Sequence, residues 1–434
     1  ANKEHPLNKL IRLTSLASLV ALLVTVAAAK AFAADTQGVF DRYKTSLYQI
    51  QVLEVTSEAK ASIGSGFEIS ADGLLATNYH VVSEVVTKPD EYRLIYKSVN
   101  GDTGALTVVD VDVVNDLALV KKEQPSAQHL AIAQSAPQKG EQIYSLGNPH
   151  DLGMIVVPGT YSGLADKSYY DRVHFTGSIN PGMSGGPVLN ENGEIVGVNV
   201  STAGNQIGFL VPSDKLQSLI NHYQSSDHDI VLSDRIRQQL VDNQKDLFER
   251  LLNKEWPQVP LGQAKVIGEI EPFIHCWGDH KSPDDDRLYA ETMNACRLGE
   301  NIFLSSDFNT GPISYEFQWL ASDSLNRFRF YELYKKQLAG GGPDNRVNKK
   351  NATNYSCHDD FVTMTDANNT VIKATFCARA YKEYSGLFDV FYIAGTVDQN
   401  QQALLAHFTL SGVEQATAEA FSRKFMESIE WMSL

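Results

Sequence analysis

The sequence predicts a mainly β first domain followed by an α+β second domain, and three observations lead to this fold class. The chain of 434 residues is long enough for two domains. Up to about residue 212, short apolar runs alternate with Gly, Asn and Asp turns, which favours a barrel or sandwich over a parallel βαβ sheet. From about residue 262, longer alternating runs and a terminal amphipathic helix favour an antiparallel sheet packed by helices.

The predicted strands of the first domain are short apolar runs bounded by turn residues. They cover residues 47–55, 66–69, 74–77, 117–120, 142–146, 188–189, 195–200 and 208–211. Asn192-Gly193 predicts a hairpin turn, because it offers a position for positive φ. One helix is predicted to begin at the N-cap Ser213 and another near Ser233. We therefore place the first domain at residues 38–224 and a helical linker at 225–261.

The second domain is predicted to occupy residues 262–434. Its alternating runs at residues 371–381, 387–397 and 403–410 predict strands, with a hairpin turn at 398–401. The polar stretch at 338–356 contains three consecutive glycines and predicts a mobile loop. A helix is predicted from about Val413, with one stripe formed by Thr417, Phe421, Phe425, Ile429 and Met432.

Composition and charge exclude several classes of protein. The chain is 43% hydrophobic and 21% charged, which excludes disordered, collagen-like and low-complexity proteins. Its formal net charge of -15 argues against sequence-independent binding of phosphate backbones, so we expect no nucleic-acid partner. The sequence also contains no P-loop, no G-x-G-x-x-G motif and no internal repeat of fixed period.

Residues 1–33 are predicted to be a signal peptide rather than part of the fold. Basic residues precede an apolar stretch at 13–29, and Ala31-Phe32-Ala33 then offers a small-x-small cleavage site. The alternative is an uncleaved anchor helix, because this stretch is near the lower limit for a membrane span. Both interpretations place the rest of the chain outside the cytoplasm, so we expect a periplasmic or secreted protein of a bacterial cell envelope. A membrane tether is expected only if the segment is retained.

All four cysteines lie in the second domain, and in an exported chain an even number usually forms disulfides. They are Cys276, Cys296, Cys357 and Cys377. Three pairings are possible, and we favour the two that join cysteines adjacent in sequence, because each closes a short loop. Histidines flank the cysteines and leave a metal site as the alternative: His275, His280 and His358. No C-x-x-C spacing is present, so we expect no metal.

Three short segments supply a histidine, an aspartate and a serine in that order. His80 lies in TNYHVV, Asp116 in NDLALV and Ser184 in NPGMSGGP. A serine hydroxyl is a weak nucleophile near neutral pH and needs a base to remove its proton. Histidine titrates in the right range and can return the proton to a leaving amine. A carboxylate that holds the imidazole and stabilises its charged form completes the set needed for acyl transfer.

The same segment offers hydrogen-bond donors for the oxyanion that acyl transfer creates. The glycines around Ser184 permit a tight turn whose backbone N–H groups can converge on one point. We expect the amides of Gly182 and Ser184 to form this oxyanion hole, with Met183 as a further candidate. This chemistry requires no metal ion and no organic cofactor, so we expect none.

These segments, together with INPGMSGGPVLNENGEIVGVNV and IGFLVPSDKL, resemble trypsin-like serine proteases of the HtrA/Deg group over about residues 38–222. The resemblance implies a trypsin-like double β-barrel with the active site in the cleft between the barrels. It also implies that His80 is the general base, Asp116 its orienting carboxylate and Ser184 the nucleophile. We therefore expect an exported serine endopeptidase that cleaves polypeptides through an acyl-enzyme. No PDZ domain is recognisable, and the second domain resembles no family that we can name.

Alignment to the family motif also indicates the first specificity pocket. Its expected lining is Ser178, Ile179, Asn199, Val200 and Ser201. Ser178 stands where enzymes that prefer Arg or Lys carry an aspartate, and Asn199 stands where glutamate-specific relatives carry a histidine. We therefore expect a small or aliphatic residue before the scissile bond, at position P1.

Two alternatives to an active peptidase stay open. The unassigned half of the chain is compatible with a regulated or inactive protease-fold protein of the cell envelope that binds other proteins in a chaperone-like way. An esterase is the other alternative. It is disfavoured because α/β-hydrolases carry their triad in the order Ser, Asp, His, whereas this chain has His, Asp, Ser.

Overall fold

The computed structural model describes residues 36–432 apart from 127, 203–206, 227–229, 285, 344, 346 and 365–368. The signal peptide or anchor predicted at residues 1–33 lies outside the described residues. No helix in the described part of the chain has the length and apolar character needed to cross a membrane.

The first domain contains two closed six-stranded barrels, which confirms the double-barrel prediction. The first barrel has the strand order β1-β2-β3-β6-β5-β4, with β1 Leu47–Glu54, β2 Lys60–Glu68, β3 Leu74–Thr77, β4 Tyr92–Ser98, β5 Thr103–Asp112 and β6 Leu117–Lys121. The second barrel has the order β10-β11-β12-β9-β8-β7, with β7 Gln142–Gly147, β8 Ile155–Leu164, β9 Val173–Phe175, β10 Pro187–Leu189, β11 Ile195–Thr202 and β12 Gly208–Pro212. Neighbouring strands within each barrel pair antiparallel.

Four helices accompany the barrels: α1 Thr36–Tyr43, α2 Tyr79–Thr87, α3 Ser213–Ser225 and α4 Leu232–Leu252. The segment predicted as a helical linker thus contains a helix of 21 residues. Ile236 and Leu240 of α4 are buried in one apolar core with the first barrel. Leu247 and Leu251, further along the same helix face, are buried in the core of the second domain. Helix α4 therefore belongs to both cores.

The second domain is built on a seven-stranded antiparallel sheet with the order β15-β16-β19-β23-β22-β21-β20. Its strands are β15 Ile274–Lys281, β16 Ala290–Leu298, β19 Ile313–Ala321, β20 Ser356–Thr363, β21 Val371–Ala380, β22 Phe388–Thr396 and β23 Gln402–Val413. A small three-stranded sheet contains β13 Gln258–Leu261, β14 Ala264–Ile267 and β24 Glu430–Trp431. A two-stranded sheet contains β17 Ile302–Ser305 and β18 Phe308–Thr310. The helices are α5 Arg327–Gly340 and α6 Gln415–Glu427. This arrangement confirms the predicted α+β class.

The core of the second domain is an aromatic cluster between the sheet and α6. Phe421 and Phe425, four residues apart on α6, are fully buried. Their ring centroids lie 5.2 Å and 4.9 Å from that of Phe408 on β23. Both belong to the predicted apolar stripe, but α6 ends at Glu427, so Ile429 and Met432 follow the helix instead of extending it. Helix α5 also reaches into the stretch predicted as a loop, because it continues to Gly340.

Both disulfides cross-link neighbouring antiparallel strands. Cys276 on β15 lies directly opposite Cys296 on β16 and is bonded to it. Cys357 on β20 has the same relation to Cys377 on β21. The structure thus contains the pairing of sequence-adjacent cysteines that the sequence analysis favours.

Candidate active site

Helix α2 positions His80 at its first turn, immediately after β3. The backbone N–H of Tyr79 donates to the carbonyl oxygen of Asp116 at 3.2 Å. The Tyr79 side chain is fully buried, and its hydroxyl donates to the carbonyl oxygen of Leu304 at 3.0 Å. These two bonds hold Tyr79 through both its backbone and its side chain. The adjacent His80 side chain keeps 30% of its surface exposed and lines a cleft at the first turn of α2.

Asp116 holds both the backbone and the ring of His80. Its Oδ2 lies 2.6 Å from His80 Nδ1, and its Oδ1 accepts the His80 backbone N–H at 2.8 Å. Asp116 has a positive φ of 60°, and Asn78 Nδ2 donates to its carbonyl oxygen at 2.7 Å. A carboxylate only accepts hydrogen bonds, so Nδ1 carries the ring proton and Nε2 is left as the acceptor. This is the tautomer that a general base requires.

The pKa of His80 reflects two opposing effects. Burial of the ring disfavours its charged form and lowers the pKa. The negative charge of Asp116 and its hydrogen bond favour the charged form and raise the pKa. The net result is a pKa above the usual 6.5.

The loop that precedes Ser184 is a tight turn that requires a glycine. The N–H of Met183 donates to the carbonyl oxygen of Asn180 at 3.0 Å, with Pro181 and Gly182 between them. Gly182 has a φ of +96°, so the turn has proline second and a positive-φ glycine third, as in type II. A Cβ at Gly182 would lie 2.4 Å from the carbonyl oxygen of Asn148. Any side chain there would therefore displace the loop.

Among the described residues, two of the three predicted oxyanion amides find no hydrogen-bond acceptor. Within the described residues, the backbone N–H groups of Gly182 and Ser184 donate no hydrogen bond. The N–H of Met183 is engaged by the carbonyl oxygen of Asn180, and the Met183 side chain is fully buried in the second barrel. The geometry therefore favours Gly182 and Ser184 as oxyanion donors over Met183.

Ser184 is held in place by its backbone, while its hydroxyl faces Val200. The carbonyl oxygen of Ser184 accepts the N–H of Ser65 at 2.8 Å. Its Oγ donates to the carbonyl oxygen of Val200 at 3.4 Å, and among the described residues it makes no hydrogen bond with His80. The structure thus brings histidine and aspartate into direct contact and leaves the serine hydroxyl turned aside.

The predicted specificity residues divide into two groups. Val200 and Ser201 line a cleft of about 710 Å³ that also contains His80 and Asp116. Ile179 is buried in the core of the second barrel, and Ser178 is half-buried.

Asn199, the fifth predicted pocket residue, is fully buried beneath the serine loop. Its Oδ1 accepts from Ser145 Oγ at 2.8 Å, and its Nδ2 donates to the carbonyl oxygens of Leu146 at 3.0 Å and Met183 at 3.4 Å. These bonds occupy the amide, so Asn199 braces the loop from below.

The same cleft has a wall that sequence reasoning missed, because it comes from the second domain. Phe273, His275, residues 299–301 and Phe303 contribute to it. The Phe303 ring meets the His80 ring edge-on, with centroids 6.2 Å apart. No local signal in the sequence links positions so far apart in the chain.

The alternative of a metal site in the second domain conflicts with the state of its cysteines. All four sulfurs are bonded in disulfides and offer no thiolate. Within the described part of the chain, no group of three or more His, Cys, Asp or Glu side chains is arranged to hold a metal ion.

Comparisons with known proteins agree on the nature of the first domain. Residues 64–198 match the family described as "Trypsin-like peptidase domain". Serine protease HTRA3 of Mus musculus is 34% identical over 178 residues, which cover 38% of this chain and 38% of the relative. The first domain is thus similar to the trypsin-like peptidase domains of HtrA-type serine proteases. Serine protease HTRA1 of Xenopus laevis is also 34% identical, over 174 residues that cover 38% of this chain and 36% of that relative.

These matches cover only part of this chain and only part of each relative. The chain spans about two fifths of the length of the curated relatives it matches. The solved crystal structure of the serine endoprotease from Yersinia pestis is similar with a TM-score of 0.39 and 26% identity, over 44% of this chain and 66% of that chain. The family match ends at residue 198, so the role of the second domain must be argued from its own contacts.

Proposed function

We propose that this protein is an exported serine endopeptidase whose triad is His80, Asp116 and Ser184. The observation that carries the proposal is the 2.6 Å contact between His80 Nδ1 and Asp116 Oδ2, beside the glycine loop that holds Ser184. The match of residues 64–198 to the family of trypsin-like peptidase domains supports it. The substrate class is polypeptide.

In the proposed mechanism, Ser184 Oγ attacks the scissile carbonyl carbon and gives its proton to His80 Nε2. Asp116 keeps the ring oriented and stabilises the imidazolium that forms. The amides of Gly182 and Ser184 donate to the developing oxyanion. His80 then protonates the leaving amine, and a water molecule activated in the same way hydrolyses the acyl-enzyme.

For the first step, the Ser184 hydroxyl must rotate from Val200 towards His80 Nε2. Such catalytic hydrogen bonds often form only when substrate is bound. The Val200 contact also favours a second candidate function, the regulated or inactive protease-fold binding protein, since a resting serine is what that candidate requires. The two candidates differ in whether Ser184 reacts.

The proposed P1 preference is for a small or aliphatic residue. Val200, which lines the same cleft as His80, supports an apolar pocket. The two disulfides support a location outside the cytoplasm, either periplasmic or secreted.

Labelling with an organofluorophosphonate tests the proposal. The probe phosphonylates an activated serine, and mass spectrometry of the digested protein is expected to place the modification on Ser184. Ser178, six positions earlier, is the internal control and should stay unmodified, as should Ser184 in heat-unfolded protein. A natively folded sample that leaves Ser184 unmodified would contradict the peptidase and favour the binding protein.

The rate of labelling is also expected to depend on pH through His80. The ring accepts the serine proton only when neutral, so the rate should rise as pH increases through the His80 pKa. Because Asp116 raises that pKa, the midpoint should lie above 6.5. Pseudo-first-order labelling rates from about pH 5 to pH 9 at constant ionic strength measure it. Asp116→Asn removes the charge and should move the midpoint down, and a midpoint at or below 6.5 in the parent protein would be inconsistent with this account.

A further inference from the structure

The hairpin β17–β18 of the second domain packs directly onto helix α2 of the first. Along β17, Ile302 and Leu304 are almost fully buried in the core shared with the first barrel. Since successive side chains of a strand point to opposite faces, Phe303 between them points the other way. It is half-buried and lines the cleft that contains His80.

Three hydrogen bonds fix this segment relative to the catalytic groups. The Tyr79 hydroxyl donates to the Leu304 carbonyl oxygen at 3.0 Å, which joins the hairpin to the residue before His80. On the other side, Glu300 Oε2 accepts the N–H of Tyr169 at 2.7 Å, and its Oε1 accepts from Ser168 Oγ. The Phe303 backbone is therefore held between α2 and the loop that connects β8 to β9.

The cleft enclosed in this way is mainly apolar. Its lining combines Phe303 and Phe273 of the second domain with Val113, Tyr170 and Phe209 of the first. Its lining also includes charged side chains, of which Glu300 is engaged by Ser168 and Tyr169 and Asp116 by His80. The other two are Lys167 and Arg172. A space of about 710 Å³ lined in this way suits an apolar side chain.

The edge of β11 shows how a peptide would reach this cleft. Strand β10 pairs with β11 only as far as Val198, and Asn199 exchanges backbone bonds with Gly185 and Gly186. Beyond that point, Val200 and Ser201 border the cleft, and an extended peptide can add there as a further strand. If the P1 side chain enters the pocket beside Val200, alternation turns the preceding side chain towards His80 and Phe303.

We infer that the second domain completes the substrate site, with Phe303 as a specificity-determining residue that selects an apolar side chain second before the scissile bond. The inference rests on the proposed peptidase function. It also assigns the second domain a role in recognition, because Phe303 and Phe273 supply one wall of this subsite.

Phe303→Ala in the full chain tests the inference. Two peptides that differ only in carrying Leu or Gly at the second position before the cleaved bond are compared, with the bond assigned by mass spectrometry. The ratio of kcat/KM for Leu over Gly is expected to fall on the order of tenfold. Phe328→Ala is the matched control, because Phe328 lies on α5 in the same domain and is 86% exposed. It should leave the ratio unchanged.

An unchanged ratio of kcat/KM in Phe303→Ala would overturn the inference. If both peptides were also hydrolysed faster by the same factor, Phe303 would block access of substrate to the cleft instead of selecting a side chain. Binding of the same two peptides to Ser184→Ala, with and without Phe303→Ala, measures the selectivity without catalysis. A loss of binding selectivity together with no labelling of Ser184 would sink the peptidase proposal and leave the subsite standing. Normal labelling of Ser184 together with unaltered binding selectivity would support the peptidase proposal and overturn the subsite.

Discussion

Ser184→Ala is expected to lower kcat for peptide hydrolysis by about a million-fold, because the attacking oxygen is removed while the rest of the site remains. The 2.6 Å contact between His80 and Asp116 does not involve the Ser184 side chain and should persist. The loop should also keep its shape, since the backbone carbonyl of Ser184, and not its hydroxyl, is bonded to Ser65. Initial rates with a fluorogenic peptide, together with a thermal melt, measure activity and fold separately.

The control for this prediction is a double variant, in which the losses of kcat from Ser184→Ala and Asp116→Asn should not add up. Asp116→Asn alone should lower kcat by about 10⁴-fold, because the ring of His80 loses its orienting carboxylate. In Ser184→Ala, however, His80 has no proton to accept, so adding Asp116→Asn should cost nothing further. If the two losses multiply instead, His80 and Asp116 act in some way that does not pass through Ser184.

The elements that could be predicted from the sequence are those with a local apolar signal. Strand β1 is buried along almost its whole length, and its apolar residues are interrupted only by Gln49 and Gln51 before it ends at Glu54. Strand β20 is exposed at nearly every position, so no hydrophobic pattern marks it. Strands β15 and β16 also lack such a pattern, because most of their residues are polar or only half-buried. These strands form because neighbouring strands and disulfides hold them, and that information is not local.

The candidate site shows the same division. His80, Asp116 and Ser184 could be named because each sits in a short recognisable segment. Asn199 could be located along the chain, but the direction of its side chain could not. The register of β11 against β12 shifts between Asn199 and Ser201, which interrupts the regular alternation of side chains. Phe303 reaches His80 only after the second domain has folded onto the first.

The shared core leads to the second large prediction, that residues 36–225 alone will not keep a native fold. The first barrel buries apolar residues in common with α4 and the second domain, including Ile236, Leu240, Leu304 and Leu387. Each buried side chain of this kind stabilises the fold by about 1.5–3 kcal/mol. Losing four of them would cost about 6–12 kcal/mol, which is comparable to the whole stability of a domain, about 5–15 kcal/mol. The fragment should bind a hydrophobic dye, lack a cooperative thermal transition and fail to label at Ser184.

A cut chain separates the loss of contacts from the loss of the covalent link. A specific protease site inserted after Ser226, in the short polar segment between α3 and α4, allows the backbone to be broken while every domain contact remains. Because α4 packs into both cores, the two pieces should stay associated through gel filtration and keep the labelling rate of the intact chain. A fragment 36–225 that melts cooperatively and labels at the parent rate would show instead that the barrels are self-sufficient. The second domain would then not be needed for the stability of the barrels. Phe273 and Phe303, which line the cleft beside His80, would affect only the choice of substrate.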